Sequence, residues 1–294
     1  MNTKLFKIFL SKALFTLCIS AFIAIFTSFN LFAAEGTKSA PKRIISLGPG
    51  ITENLYLLEI EEYIIANTLY CKESPKKQKI EKIGTVTNFD LEKVVSLKPD
   101  LVLAIGLSNS RQIAKLKRLG VNTARFYYPK SFFNMCTNLL EIGKLVGKKK
   151  KAQGIIKKAQ SQVEIIRKKT SHLKKPTIFV QIGKKPLFTV NKESFINDFI
   201  EFAGGINIAK EEKFGLYSRE NVLKINPDII IISTMGLIGE EEKKLWEKYK
   251  SLKAVRNKRI YIFDEYKLCS PTVAIFPQVL QEIARLFYPE NKTL

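Results

Sequence analysis

Two glutamates in this chain occupy matching positions, and their setting suggests what they do. Glu92 lies in Asp90-Leu91-Glu92-Lys93-Val94-Val95-Ser96-Leu97-Lys98-Pro99-Asp100, and the apolar run Leu101 to Ile105 follows. Glu220 lies 128 residues later in Ser218-Arg219-Glu220-Asn221-Val222-Leu223-Lys224-Ile225-Asn226-Pro227-Asp228, followed by Ile229 to Ile232. Asp90 and Ser218 are good helix N-cap residues, since a short side-chain oxygen can take a free N–H of the first turn. Each glutamate then falls in a first helical turn, where the helix dipole favours negative charge. Dipole stabilisation alone would explain one such residue. The same charge at the same place in both copies points to a paired anionic contact with a two-fold partner.

The elements that position the pair can be read outward from them. Pro99 and Pro227 stop the two helices. The continuous apolar runs that follow suit strands covered on both faces of a parallel sheet. So long an offset suggests two equivalent lobes rather than a solenoid. In the first lobe, Ile44 to Leu47 and Tyr63 to Thr68 read as strands, and Thr52 reads as the cap of a helix through Leu58. Ser108 to Leu119 reads as a helix, Val121 to Tyr127 as a strand and Ser131 to Val146 as a helix. In the second lobe, Thr177 to Ile182 and Arg259 to Phe263 read as strands, Asp264 to Pro271 as a loop and Thr272 to Phe287 as a closing helix. Lys148 to Leu173 has no internal proline and keeps helical apolar spacing, so it predicts one long connector. The expected fold is α/β, with two Rossmann-like lobes joined by one long backbone helix and a ligand cleft between the lobes. The expected boundaries are 1–34 for a signal peptide, 35–147 for the N-terminal lobe, 148–174 for the linking helix and 175–294 for the C-terminal lobe.

In such sheets, ligands sit at the carboxyl ends of the strands. That makes Tyr70, Gly106, Phe188 and the loop Asp264 to Pro271 (Glu265, Tyr266, Lys267 and Leu268 within it) the expected ligand-binding lining, with Phe214 beside them.

Composition narrows the chemistry. The chain has 294 residues, 46% of them hydrophobic, enough for two lobes with full cores. Its formal charge of +22 comes from 49 Lys and Arg against 27 Asp and Glu. The lysines are spread along the chain, and their densest cluster, Lys148 to Lys151, lies at a helix start without interleaved aromatics, which suits a lysine-rich surface better than nucleic-acid binding. Four cysteines and one histidine leave little material for a disulfide scaffold, a histidine metal site or a Ser-His-Asp triad. Cys71 and Cys269 both fall on expected cleft loops, where they would be inert, bonded to each other or soft metal ligands. His172 at the end of the long helix suits contact with the last carbonyls. No nucleophile–base pair is recognisable, so no catalytic residue, catalytic cofactor or resident metal is expected.

Lys4, Lys7 and Lys12 before the apolar stretch Ala13 to Phe32 read as an export signal, with cleavage near Ala33 and Ala34. An uncleaved anchor is the alternative.

Several motifs together resemble the helical-backbone class of ABC-transporter substrate-binding proteins, which includes receptors for cobalamin, haem and ferric siderophores. They are Arg43 to Pro49 with Thr52-Glu53, Leu91-Glu92 through Pro99-Asp100, Ser218-Arg219-Glu220 through Pro227-Asp228, Arg259-Ile260-Tyr261 and Ser270-Pro271. The likeness covers Pro41 to Pro289 and is strongest toward the cobalamin receptors. It implies a periplasmic, non-enzymatic receptor delivering a corrinoid to a two-fold permease with its ATPase. Haem and ferric siderophores are the alternative cargoes. It also implies that Glu92 and Glu220 dock to permease arginines, that Tyr70 contacts the corrin ring, and that Phe188, Phe214 and Asp264 to Leu268 line the cleft. The sequence departs from that pattern where cleft tryptophans become Val86 and Ile105 and where late arginines become Leu268 and Thr272.

Overall fold

The computed structural model describes residues 40–74, 76, 79–233, 239–291 and 294. The expected signal segment 1–34 lies outside them. Pro41 to Leu294 forms one unit.

The first half runs β1 (Ile44–Leu47), α1 (Pro49–Leu57), β2 (Ile64–Asn67), β3 (Glu81–Lys82), α2 (Leu91–Ser96), β4 (Leu101–Ile105), α3 (Ser110–Arg118), β5 (Thr123–Phe126) and α4 (Phe132–Leu145). Next comes α5 (Lys149–Thr170), 22 residues long. The second half runs β6 (Thr177–Gly183), β7 (Phe188–Thr189), α6 (Phe195–Phe202), β8 (Ile206–Asn207), α7 (Arg219–Ile225), β9 (Ile229–Ile232), α8 (Gly239–Glu247), α9 (Lys253–Arg256), β10 (Ile260–Ile262), α10 (Glu265–Cys269) and α11 (Phe276–Phe287).

The first sheet is all parallel, in the order β3-β2-β1-β4-β5. In the second, β10, β9 and β6 are parallel neighbours, and β6 shares its other edge between parallel β8 and antiparallel β7. Thus β1, β2, β4 and β5 correspond to β6, β8, β9 and β10. The two-lobed α/β architecture expected from the sequence is the one observed.

The repeated template has the same local structure twice. Asp90 accepts from the N–H of Lys93 at 2.9 Å, and Ser218 from the N–H of Asn221 at 3.1 Å. Lys98 and Asn226, each just before the proline, turn left-handed at φ 47° and 57°. Asp100 then accepts from the N–H groups of Lys42 and Arg43 at 2.9 and 3.0 Å. Asp228 accepts from the N–H and hydroxyl of Thr177 at 2.9 and 2.8 Å. Each Pro-Asp therefore ties the incoming strand to the first strand of its own lobe.

Alternation along the strands explains three cores. Ile44, Leu101 and Leu103 of one sheet and Ile178, Ile229 and Ile231 of the other face a shared core, completed by α4, α5 and α11. Ile45 and Val102 face outward onto Val94 of α2, and Ile230 and Ile232 face outward onto Val222 of α7. The long helix buries Ala152, Ala159, Val163, Ile166 and Thr170, so it is the spine under which the lobes fuse.

Several local expectations need correction. Thr52 is not a cap, because Gly48 holds that place with Pro49 at the first helical position. Thr52 is fully buried instead and donates to Ser46 Oγ at 2.8 Å. Ser108 precedes a helix that starts at Ser110, because Asn109 accepts from the N–H groups of Arg111 and Gln112. The stretch Asp264 to Pro271 is not all loop: Asp264 accepts from the N–H of Lys267 at 2.7 Å and caps α10. The closing helix begins at Phe276 rather than Thr272. No helix among the described residues is long and apolar enough to cross a membrane.

Candidate ligand cleft and docking face

The carboxyl ends of β1, β4 and β5 open onto a cavity of about 530 Å³ that the second lobe closes. Its first-lobe wall includes Ile105, Gly106, Leu107, Phe126, Tyr127 and Tyr128, and its second-lobe wall is Phe195 with Cys269 to Val273. Apolar and aromatic surface with a few polar groups is the usual make-up of a small-molecule pocket.

Glycines hold two aromatics in place. A Cβ on Gly106 would stand 3.1 Å from the Tyr127 ring, so a bare backbone lets that ring lie against the end of β4. Gly183 at the end of β6 does the same for Phe188, at 3.0 Å. Arg125 on β5 fixes the turn around Gly106. Its Nη2 donates to Gly106 O at 2.6 Å and to Ser108 O at 3.0 Å, and Nη1 donates to Ser110 Oγ at 3.1 Å.

Among the described residues, four polar links cross between the lobes. The Tyr128 hydroxyl donates to Cys269 O at 2.9 Å, and Tyr266 donates to Glu53 Oε1 at 2.6 Å. Lys130 pairs with Glu193 at 2.6 Å, and the Phe132 N–H donates to Asp198 Oδ2 at 2.7 Å. Lys72 Nζ sits 3.1 Å above the Tyr266 ring. Burial pushes the Tyr128 hydroxyl up to about 12, the nearby Cys269 adding to it, so it stays protonated. Burial likewise raises the Cys269 thiol and, against the Phe132 N–H, the Asp198 carboxyl.

The expected lining residues separate into groups. Gly106 lines the cavity. Tyr70, Phe188 and Phe214 are exposed, by 73%, 39% and 82%, and do not line the closed cavity. Tyr70 follows β2 as Gly106 follows β4, and Phe188 pairs with Leu216 across a strand bridge. Among Asp264 to Leu268, only Tyr266 reaches the other lobe. Lys267 pairs with Glu282 at 2.9 Å, Glu265 is exposed and Leu268 is buried in the shared core. An amphipathic turn of helix, capped by Asp264, turns Leu268 inward.

Cys71 and Cys269 are free. Cys71 is buried in the first lobe, its sulfur 3.1 Å from Thr52 Oγ1. Among the described residues no cluster of His, Cys, Asp and Glu could hold a metal. His172 is exposed just past α5. Tyr127, Tyr128 and Phe195 were not singled out from sequence. Tyr127-Tyr128 does follow a strand directly, the signal that marked Tyr70.

Glu92 and Glu220 are exposed, and neither forms an ion pair among the described residues. Glu220 is held below the usual carboxylate range by its own backbone N–H and by Ser218. In both lobes the helix runs antiparallel to the strand it feeds, so its first turn sits at the strand's carboxyl end. Both glutamates therefore stand on the same edges of the sheets as the cavity. Behind Glu220, Arg219 is turned inward onto the fully buried Glu242, which also accepts from Gln181 Nε2 at 2.7 Å. The Arg219 guanidinium lies 4.4 Å from the Trp246 ring centre. The α7 start is thus anchored to β6 and α8.

A profile described as periplasmic binding protein matches residues 44–266. An uncharacterized ABC transporter substrate-binding lipoprotein, YvrC of Bacillus subtilis, is 29% identical over 86% of this chain and 82% of its own. The vitamin B12-binding protein of Photorhabdus laumondii is 28% identical over 72% of this chain and 76% of its own. The crystal structure of Staphylococcus aureus IsdE complexed with heme superposes with a TM-score of 0.69 and 25% identity, covering 84% of this chain and 98% of that one. The chain belongs to the periplasmic binding protein family: it is a substrate-binding protein of the ABC-transporter kind, built as two lobes on one linking helix.

Proposed function

We propose that the protein is exported to the periplasm, captures a corrinoid in the interlobe cleft and delivers it unchanged to a two-fold ABC permease. The observation that carries the corrinoid reading is the polar content of the cavity wall. Its neutral polar side chains are Asn54, Asn138, Ser270 and Thr272 beside the tyrosines, and its one cation, Lys130, is already paired with Glu193. A corrin ring bears amide side chains and brings its own lower axial ligand. Amides and hydroxyls suit it, and the aromatic faces of Tyr127 and Phe195 suit its flat ring.

Haem of the same family fold is the second reading, and a ferric siderophore the third. Haem carries two carboxylates and is held by an axial ligand from the protein. Tyr70 is the candidate that the resemblance to haem receptors supplies, but it is exposed outside the closed cavity, and in the cavity wall the Tyr128 hydroxyl is engaged with Cys269 O and resists ionisation, which weakens that reading. Glu92 and Glu220 act as the paired permease contacts, one per lobe.

The test is an absorption titration with cyanocobalamin, cobinamide and haemin, each followed by gel filtration. Co-elution of a corrinoid at one per chain is the expected result. A haemin Soret shift that survives gel filtration, with corrinoids washing off, would move the assignment to haem. Mass spectrometry of the exported chain locates the mature N-terminus, expected near Ala33 or Ala34.

A further inference from the structure

The helices that carry Glu92 and Glu220 look alike from outside and are held differently from inside. Both are short, and each fully buries one side chain, Val94 in α2 and Val222 in α7. Their first turns, which carry the glutamates, differ. In α2 the residue before Glu92 is Leu91, which packs against the apolar outer core that Leu47, Ile113 and Leu116 help to form. In α7 the residue before Glu220 is Arg219, and a closed ring of side chains receives it. Arg219 Nη2 donates to Glu242 Oε2, which also accepts from Gln181 Nε2 at 2.7 Å. Gln181 Oε1 accepts from Trp246 Nε1 at 2.7 Å, and the Trp246 ring lies 4.4 Å from the guanidinium. Glu242 and Trp246 are neighbours on one face of α8, and Gln181 is on β6.

Strand register shows what stands in the same place in the first lobe. Leu47 pairs with Ala104 as Gln181 pairs with Ile232, and these partners are related by the repeat offset. Leu47 is therefore the counterpart of Gln181, and Leu91 that of Arg219. The first lobe builds from hydrocarbon the joint that the second builds from charge. A buried ion pair gives up hydration that its attraction barely restores, and apolar groups of like volume hold a fold as well or better. Glu242 Oε1 and Arg219 Nη1 also lack partners among the described residues, so the pair is joined through one N–H···O contact. Stability is a poor reason for such a joint, and direction is a better one. Apolar side chains slide over one another, whereas a hydrogen-bonded charge pair fixes distance and angle. Consecutive helical residues project about 100° apart, so turning Arg219 inward sets the way Glu220 points.

We propose that Glu242 is a positioning residue for permease docking: through Arg219 it fixes the first turn of α7, and with it the direction of Glu220. The proposal rests on the docking role given to Glu220 above and does not depend on which cargo the cleft takes.

The test measures binding of the full chain to its cognate permease in nanodiscs, beside thermal melts. Arg219→Leu/Glu242→Leu gives the second lobe the apolar joint of the first and leaves net charge unchanged, and Gln181 Nε2 keeps Gly183 O as a partner at 3.1 Å. This variant should melt close to the parent yet dock about tenfold more weakly. Losing a cation beside Glu220 would by itself favour a cationic partner, so weaker docking marks a misdirected carboxylate. Arg219→Lys, which keeps an ion pair with Glu242, should dock within about threefold of the parent. Trp246 is the chain's single tryptophan, so its emission reports the ring: the double variant should shift it and Glu220→Gln should not. Unchanged docking in the double variant, with Glu220→Gln weakening docking about tenfold, would overturn the positioning role and leave the docking role standing. Unchanged docking in both would overturn the docking role and this proposal with it. Equal losses in Arg219→Lys and the double variant, an unmoved emission, or a double variant that melts far below the parent would each overturn the proposal, the last by making the ring a plain stabiliser.

Discussion

Tyr266 and Glu53 meet across the two lobes: the phenol of one donates to the carboxylate of the other at 2.6 Å. Lys72 stacks on the tyrosine ring from the first-lobe side, and Cys269 at the end of the same short helix takes the Tyr128 hydroxyl. Removing the hydroxyl in Tyr266→Phe keeps the ring and the cation above it while deleting the bridge. A hydrogen bond to a charged group contributes on the order of 1.5–3 kcal/mol, so a loss of about that size is expected in urea unfolding. Small-angle scattering should show a slightly larger radius of gyration. An unchanged radius and unchanged midpoint would mean that the bridge holds nothing.

Asp228 gives a pH signature. Burial raises its carboxyl, but the hydrogen bonds from the Thr177 N–H and hydroxyl, with Lys253 and Arg259 nearby, outweigh that and hold it below its ordinary range. The stability it supplies is fully present above the unfolded value of about 3.9 and is lost as pH falls through the lower folded value. Asp228→Asn should therefore lower stability at neutral pH and flatten the acid limb below about pH 4. Denaturant midpoints measured from pH 7 down to pH 3 would show it. A variant whose curve runs parallel to the parent's would contradict the assignment.

Charge reversal separates docking from cargo binding. Glu92→Arg with Glu220→Arg should abolish complex formation with the cognate permease in detergent or nanodiscs while leaving ligand affinity unchanged, since both side chains are exposed and neither lines the cavity. Loss of ligand binding with docking intact is the outcome that would refute the docking role.

The cavity tyrosines should behave differently from one another. Tyr127→Ala removes a ring face and is expected to weaken corrinoid binding by about tenfold, the range of one aromatic contact. Tyr128→Phe removes only a hydroxyl that faces a backbone carbonyl and should leave corrinoid affinity within a few-fold. If the cargo is haem held by that phenol, Tyr128→Phe would instead erase the Soret shift.

Arg219 is next to Glu220 in sequence, but its side chain turns inward and is largely buried. Its carboxylate partner Glu242 has one oxygen, Oε1, with no partner among the described residues, and Arg219 Nη1 is likewise unpartnered. Arg219→Ala would strand a fully buried charge, at a cost on the order of 3–5 kcal/mol. Thermal denaturation should register it, and Arg219→Ala with Glu242→Leu should recover much of the loss.

What was legible in the sequence was what is local or periodic. N-caps, proline stops and apolar runs gave the repeat, and the repeat gave two lobes. What was not legible depended on residues distant in the chain. Nothing near Asp100 or Asp228 indicates that each carboxylate reaches back some 50 residues to the first strand of its lobe. Strands β3 and β8 have two residues each and carry no pattern of their own. Thr52 has the composition of a cap, but Gly48-Pro49 starts the helix earlier and sends it into the core.

The single crossing between lobes has a mechanical consequence. Receptors whose halves are joined by several slack segments can swing wide on their own and close like jaws around a catch. Here one rigid rod, sunk in oil common to both halves, resists that swing. On the proposed docking, the work of prying the grip open to let cargo go falls on the transporter, which would pull on each half separately through a carboxylate on either side of the mouth.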